Sequence, residues 1–293
     1  MTDSSHRRAL LAVFAHPDDE GLVSGSFARY RAEGVRVALV CGTRGEEGEI
    51  APGVECEPQN LGAWREQELR HAMSYVPLDE IYFLGYRDSG MEGTPSNQNV
   101  ANLHNAPLAE VTGHVVKFIR QVRPQVLLTF DPSGGYGHPD HIKIHQATLA
   151  AWEQAGDPSC YPEQLRGGLS AHTPLKLYWT AFSREFFMKA VQYLKEQGVD
   201  LSQFGSFNPE QRGTPEHEVT TRIDVTPYLE IKGKAWAAHA SQHNPNGLFS
   251  RIPLEMMRDW QRYEMFSLAR SRVGGADSIE DDLFARVPVR VPI

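Results

Sequence analysis

Four short apolar runs, each followed by a helical pattern, limit what this chain can fold into more than any other feature. Residues 9–14 (ALLAVF) are apolar without a break, and residues 35–41 (VRVALVC), 80–84 and 125–130 (QVLLTF) give three more strands. An unbroken apolar strand is covered on both faces, as in a parallel sheet between two layers of helix. Helical patterns occupy 23–33, 60–75, 109–122 and 139–155. Gly34 offers a left-handed stop to the first, Asn60 a cap to the second, and Pro139 a preset first turn to the fourth. The alternation predicts a Rossmann-like doubly wound α/β fold with a mostly parallel sheet whose order starts 3-2-1-4. The switch point, where such sheets bind ligands, then lies between the first and fourth strands.

The second half is less regular. A fifth strand is expected at Lys176–Ala181, a helix over 184–197 and a strand over 218–225. Thr226 and Pro227 then open a helix running to about 240, with Thr as cap and Pro at the first position. Segments 43–60, 86–108 and 157–174 are rich in Gly, Pro, Asn and Glu, and long loops of this kind usually carry function. No repeat, low-complexity tract or linker interrupts the chain. A single domain over 1–293 is expected, with a core at 8–150 and a C-terminal extension at 151–293.

A net charge of -8 and a pI near 5.8 argue against a nucleic-acid partner, which wants clustered Lys and Arg. No apolar run approaches the roughly 20 residues of a transmembrane segment. The opening residues MTDSSHRRALLAVFA resemble a signal peptide only superficially, because they run straight into His16 and Asp18 with no cleavage site. Cys41, Cys56 and Cys160 are odd in number and share no ligand or redox spacing, so free thiols in the cytoplasm are expected. Assembly into a homo-oligomer is left open.

The chemistry sits directly after the first and fourth strands. His16-Pro17-Asp18-Asp19-Glu20 can turn His16 and Asp19, three positions apart, toward one point, with Asp18 beside it. In His138-Pro139-Asp140-His141 the two histidines are one helical turn apart and share a face. His141 supplies a third ligand while His138 stands beside the open position. Three protein ligands plus water is the pattern of a catalytic zinc site. Asp18 is then the general base, and a protonated His138 stabilises the oxyanion with Asp140 behind it. Tyr136, in the glycine-rich stretch 134–137, offers its phenol to the same oxyanion. Either motif alone suits a capped turn or a solvated run of acids; the two together at switch-point strand ends do not. His145 is expected on the next helical turn, away from the metal. His6, His71, His104, His114, His172 and His217 have no supporting context.

These motifs resemble the LmbE-like, or PIG-L, zinc-dependent de-N-acetylases, which include the deacetylases of mycothiol and bacillithiol biosynthesis. The loop Thr43-Arg44-Gly45-Glu46-Glu47-Gly48, the helix start Ala63-Trp64-Arg65-Glu66-Gln67-Glu68-Leu69, the loop Tyr86-Arg87-Asp88-Ser89-Gly90-Met91 and the segment His239-Ala240-Ser241-Gln242 extend the likeness. It implies the same zinc ligands, His16, Asp19 and His141, and the same base. It further implies substrate-binding roles for Arg65, Asp88, Met91 and Gln242 toward an amino-sugar conjugate. Residues around Cys160–His172 and the stretch 243–247 match nothing in that pattern.

The leading expectation is hydrolysis of the N-acetyl group of an N-acetylglucosamine conjugate. An amidase acting on thiol S-conjugates is the close rival, and a non-catalytic metal- or sugar-binding Rossmann module the distant one. The turn after the first strand lacks Gly-x-Gly-x-x-Gly and carries carboxylates that repel a pyrophosphate. Two imidazoles and a carboxylate suit iron(II) as well as zinc.

Overall fold

The computed structural model describes residues 8–200, 213–245, 247, 249–275 and 278–288. The charged start at 1–7, and Asn246 of the unmatched stretch, lie outside the described residues. The apolar runs form β1 (Ala9–Phe14), β2 (Arg36–Cys41), β3 (Glu80–Phe83), β4 (Val126–Thr129) and β5 (Lys176–Ala181). All five are parallel. Leu10 stands between Val37 and Val126, and Ala12 between Leu39 and Leu128. Every residue of β1 is buried, which is why its sequence carries no polar alternation.

β6 (Thr221–Asp224) and β7 (Tyr263–Ser271) complete one seven-stranded sheet in the order β3-β2-β1-β4-β5-β7-β6. β7 runs antiparallel to both β5 and β6. The second half of the chain therefore continues the sheet of the first.

The helices are α1 (Ser24–Ala32), α2 (Leu61–Tyr75), α3 (Leu108–Val122), α4 (Gly134–Gly137), α5 (Pro139–Gln154), α6 (Pro162–Arg166), α7 (Arg184–Glu196), α8 (Leu229–Ala237) and α9 (Leu254–Trp260). The chain winds one way through β1, β2 and β3 and the other way through β4 and β5. Right-handed crossovers thus set α1 and α2 on one face and α3 and α5 on the other. α8 joins α1 and α2, while α3 packs on α5. No helix among the described residues is long and apolar enough to cross a membrane.

Several local expectations are corrected. Asn60 has helical backbone angles and makes no side-chain cap bond, because Pro58–Asn60 already forms a 3₁₀ turn leading into α2. Thr226 is likewise no cap; its N–H donates to Asp224 Oδ1 at 2.8 Å, and it opens a 3₁₀ turn before α8. That helix ends at Ala237, and the strand before it shrinks to Thr221–Asp224.

β7 was not expected at all, since it buries a charge. Glu264 is 4% exposed and accepts from the N–H groups of Gly25 at 3.0 Å and Ser26 at 2.7 Å, with Lys232 Nζ at 2.5 Å. It thereby satisfies the unpaired donors at the start of α1.

Candidate active site

Two tight turns, one at the end of β1 and one at the start of α5, bring the motif residues together. After Phe14 the chain reverses at once. Asp19 Oδ2 accepts from the N–H of His16 at 2.7 Å and of Ala15 at 3.2 Å, clamping the turn. His16 Nδ1 then lies 3.7 Å from Asp19 Oδ2. His141, one turn into α5, sets Nε2 3.1 Å from His16 Nδ1 and 3.4 Å from Asp19 Oδ1. Donors bound at roughly 2.1 Å to a tetrahedral zinc stand about 3.4 Å apart. The two Asp19 contacts use different carboxylate oxygens, so an ion shared by all three residues would lie against one oxygen or between both.

The far side of each imidazole is also occupied, as ligating histidines require. His141 Nδ1 meets Gly134 O at 3.1 Å, and Phe130 stacks on its ring. Gly134 has φ 66°, and a Cβ there would lie 2.8 Å from His141 Cβ, so only glycine allows this approach. His16 Nε2 faces Asp140 Oδ2 at 3.3 Å and Asp88 Oδ1 at 3.5 Å. Burial disfavours charge on His16, but these two acids outweigh it and raise its pKa. The same pairing, against an opposing burial cost, holds Asp88 well below the usual carboxylate range. Among the described residues, the three-residue donor groupings within 4.8 Å are His16 with His138 and His141 and His16 with Asp88 and Asp140; neither includes Asp19.

Asp140 differs from expectation. Its carboxylate turns to His16 and accepts from Ser89 N–H at 2.9 Å and from Ser89 Oγ. Only its backbone N–H reaches His138, donating to Nδ1 at 3.2 Å and capping α5. An Nδ1 that accepts carries no proton, so His138 is here a neutral ring with its hydrogen on Nε2. Burial, together with His16 and His141, pushes its pKa down to about 4. The groups around it thus favour a neutral ring at His138, where the sequence suggested an imidazolium.

Asp18 occupies the left-handed region with φ 108° and ψ -24°, a conformation that costs a residue with a side chain about 1–3 kcal/mol. Its carboxylate lies 3.2 Å from Arg65 Nη2. Desolvation raises its pKa to about 6, opposed by Arg65. Arg65 is 4% exposed and also donates to Gly45 O at 2.9 Å and Pro17 O at 2.6 Å. Gly45, at φ 70°, leaves room for it; a Cβ there would be 2.2 Å from Nη1. The guanidinium is therefore committed to the turn around Asp18.

A cavity of about 850 Å³ opens over these groups. His16, Asp18, Asp19, Arg65, Asp88, Met91, Tyr136, His138, His141 and Gln242 all line it, whereas Asp140 lies beneath. Tyr136 is 53% exposed, with its ring 5.1 Å from that of His141. Gln242 donates to Glu49 O at 3.2 Å. His145 bonds Phe130 O through Nδ1 at 2.9 Å and lies outside these donor groupings.

Sequence reasoning missed several contributors. Ser89 anchors Asp140 from inside a loop already singled out. Ser241 donates through N–H at 2.8 Å and Oγ at 2.6 Å to Glu68 on α2. Phe182, Phe186, Phe187 and Met257 form an apolar wall of the cavity. The two serines lie in quoted motifs; the wall left no periodic signal.

Known proteins resemble this chain in sequence and in fold. Residues 11–152 match the family described as PIG-L, GlcNAc-PI de-N-acetylase. The chain is 39% identical to 1D-myo-inositol 2-acetamido-2-deoxy-alpha-D-glucopyranoside deacetylase 1 of Catenulispora acidiphila, covering 95% of this chain and 89% of that one. In structure it is similar to N,N'-diacetylchitobiose deacetylase from Pyrococcus horikoshii, with TM-score 0.63, 20% identity, and 89% and 83% of the two chains covered. It is also similar to 4-carboxy-2-hydroxymuconate hydratase from Pseudomonas putida, with TM-score 0.60, 17% identity, and 92% and 99% covered. The fold thus carries more than one reaction, and chemistry must be argued from the site. Fold, motifs and sequence relatives together define a de-N-acetylase built on a Rossmann-like α/β sheet. The chain belongs to the PIG-L (LmbE-like) family.

Proposed function

We propose that this protein is a zinc-dependent hydrolase that removes the N-acetyl group from an N-acetylglucosamine conjugate. The observation that carries the reading is the set of donors on His16, Asp19 and His141, 3.1–3.7 Å apart, with Asp18 facing the same cavity. A divalent cation held there would polarise the acetyl carbonyl and lower the pKa of water. Asp18 takes the proton of the attacking water and delivers it to the departing amine nitrogen. The Nε2–H of His138 and the phenol of Tyr136 donate to the carbonyl oxygen as its charge grows. Arg65 aims Asp18, and Asp140 holds the ring of His16. Asp88, Met91 and Gln242 contact the sugar, with Arg65 contributing at its edge. The substrate named for the Catenulispora acidiphila relative supports an inositol as the attached group. The three free thiols fit the cytoplasm.

One observation favours the S-conjugate amidase as a second reading. Phe182, Phe186, Phe187 and Met257 give the cavity an apolar side larger than a methyl group needs. A purely sugar-binding module leaves the strained Asp18 without a purpose. Acetate release from N-acetylglucosaminyl-inositol and simpler N-acetylglucosamine glycosides, measured beside S-conjugate cleavage, separates the two enzymes. Reconstitution with zinc or with iron(II) assigns the metal. Failure of metal-loaded protein to release acetate from any of these amino sugars would overturn the leading reading.

A further inference from the structure

We propose that Glu20 and His239 form a positioning pair that fixes the backbone of Asp18 and so aims its carboxylate. This rests on Asp18 being the general base. A non-glycine residue at φ 108° persists only where its surroundings over-determine it. The Asp18 N–H donates to Glu20 Oε2 at 2.9 Å, and the Asp18 carbonyl accepts from Gly21 N–H at 2.9 Å. The other oxygen of Glu20 lies 2.5 Å from His239 Nε2.

Glu20 is 1% exposed and His239 fully buried, and neither lines the cavity. They therefore act on the reaction only through what they hold. A buried carboxylate is costly unless donors satisfy it, and apolar residues would pack the same space without that cost. The donors found here are the backbone of Asp18 and a histidine from beyond α8.

Arg65 holds the Asp18 carboxylate and, through the Pro17 carbonyl, one side of the peptide before it. Without Glu20, the N–H side of that peptide loses its acceptor, so φ of Asp18 can relax toward an ordinary negative value about the Pro17 carbonyl, and the carboxylate swings with it. The turn is also gripped from behind, since a Cβ on Gly21 would meet Trp236 at 2.7 Å. His239 follows this docked helix and carries the grip to Glu20.

The test compares Glu20→Ala, Glu20→Gln, His239→Ala and His239→Gln in the zinc-loaded enzyme, with zinc content and Tm measured for each. The alanine variants are expected to lose about 10- to 100-fold in kcat at unchanged KM, the usual scale for a misplaced group. Glu20→Gln keeps an oxygen for the Asp18 N–H and is expected to recover most of that loss. In the Asp18→Ala background, adding Glu20→Ala is expected to change nothing further. A crystal structure of Glu20→Ala should show Asp18 outside the left-handed region. Wild-type kcat in Glu20→Ala, losses that multiply in the double variant, or Glu20→Gln no better than Glu20→Ala would each overturn the pair. If Glu20→Ala does not fold, Glu20→Gln and the double variant built with it decide the matter. Full turnover in Asp18→Ala would instead remove the base assignment on which the pair depends.

Discussion

Phe130 lies flat on the imidazole of His141, with ring centroids 3.9 Å apart and planes within 6°. The residue that ends the fourth apolar run thus sets the plane of a candidate ligand. Truncation to Phe130→Ala should lower stability by about 3–5 kcal/mol, as for other buried aromatic side chains. It should also weaken zinc binding, because His141 then loses the stack that fixes the plane of its ring. Chelator competition and urea unfolding on the same variant check both effects. Unchanged zinc affinity would mean that the stack is packing alone.

Asp140 provides a second test of the proposed metal site. Its carboxylate orients His16 and is itself held by Ser89. Asp140→Ala should cost about 10- to 100-fold in zinc affinity or activity, the range for groups behind a ligand. Ser89→Ala should show a smaller loss in the same direction. The assay is zinc retention against a graded chelator series.

Asp18→Ala separates binding from chemistry. The variant should retain zinc while kcat falls about 10²- to 10⁴-fold, the usual contribution of a positioned base. Stripping the metal from the wild-type protein should abolish turnover and lower Tm by mass action, with both restored on adding zinc. Turnover that persists after complete chelation argues against the metal reading.

The unity of the chain can be tested at Glu264. Glu264→Ala leaves Lys232 without its buried partner and exposes the α1 start, so a loss of about 3–5 kcal/mol is expected. A fragment ending after α5 lacks β5 and should fail to unfold cooperatively. Equilibrium denaturation of both proteins gives the answer. An independently stable fragment would divide the domain proposed over the whole chain.

How much was legible follows from what each residue needs nearby. β1 and β4 were plain because strands buried on both faces contain little except apolar residues. The three-residue spacings of His16 with Asp19 and of His138 with His141 were equally plain, since a turn and a helix each fix local direction. β7 was invisible because Glu264 stands where periodicity calls for an apolar residue, and the backbone N–H groups it accepts from lie more than 200 positions away. The surroundings of His138 were hidden for a related reason. Its neighbour in sequence, Asp140, meets it with a backbone N–H, while the carboxylate goes to His16 on another strand end. The caps expected at Asn60 and Thr226 failed where proline drew the preceding residues into 3₁₀ turns.

The contact between Glu20 and His239 joins positions 219 residues apart. A growing polypeptide that has released all five parallel strands from the ribosome still lacks His239. Its sheet can assemble while the acid turn beneath it remains unfinished. Competence for the reaction then arrives late in synthesis, after the extension has closed over the core.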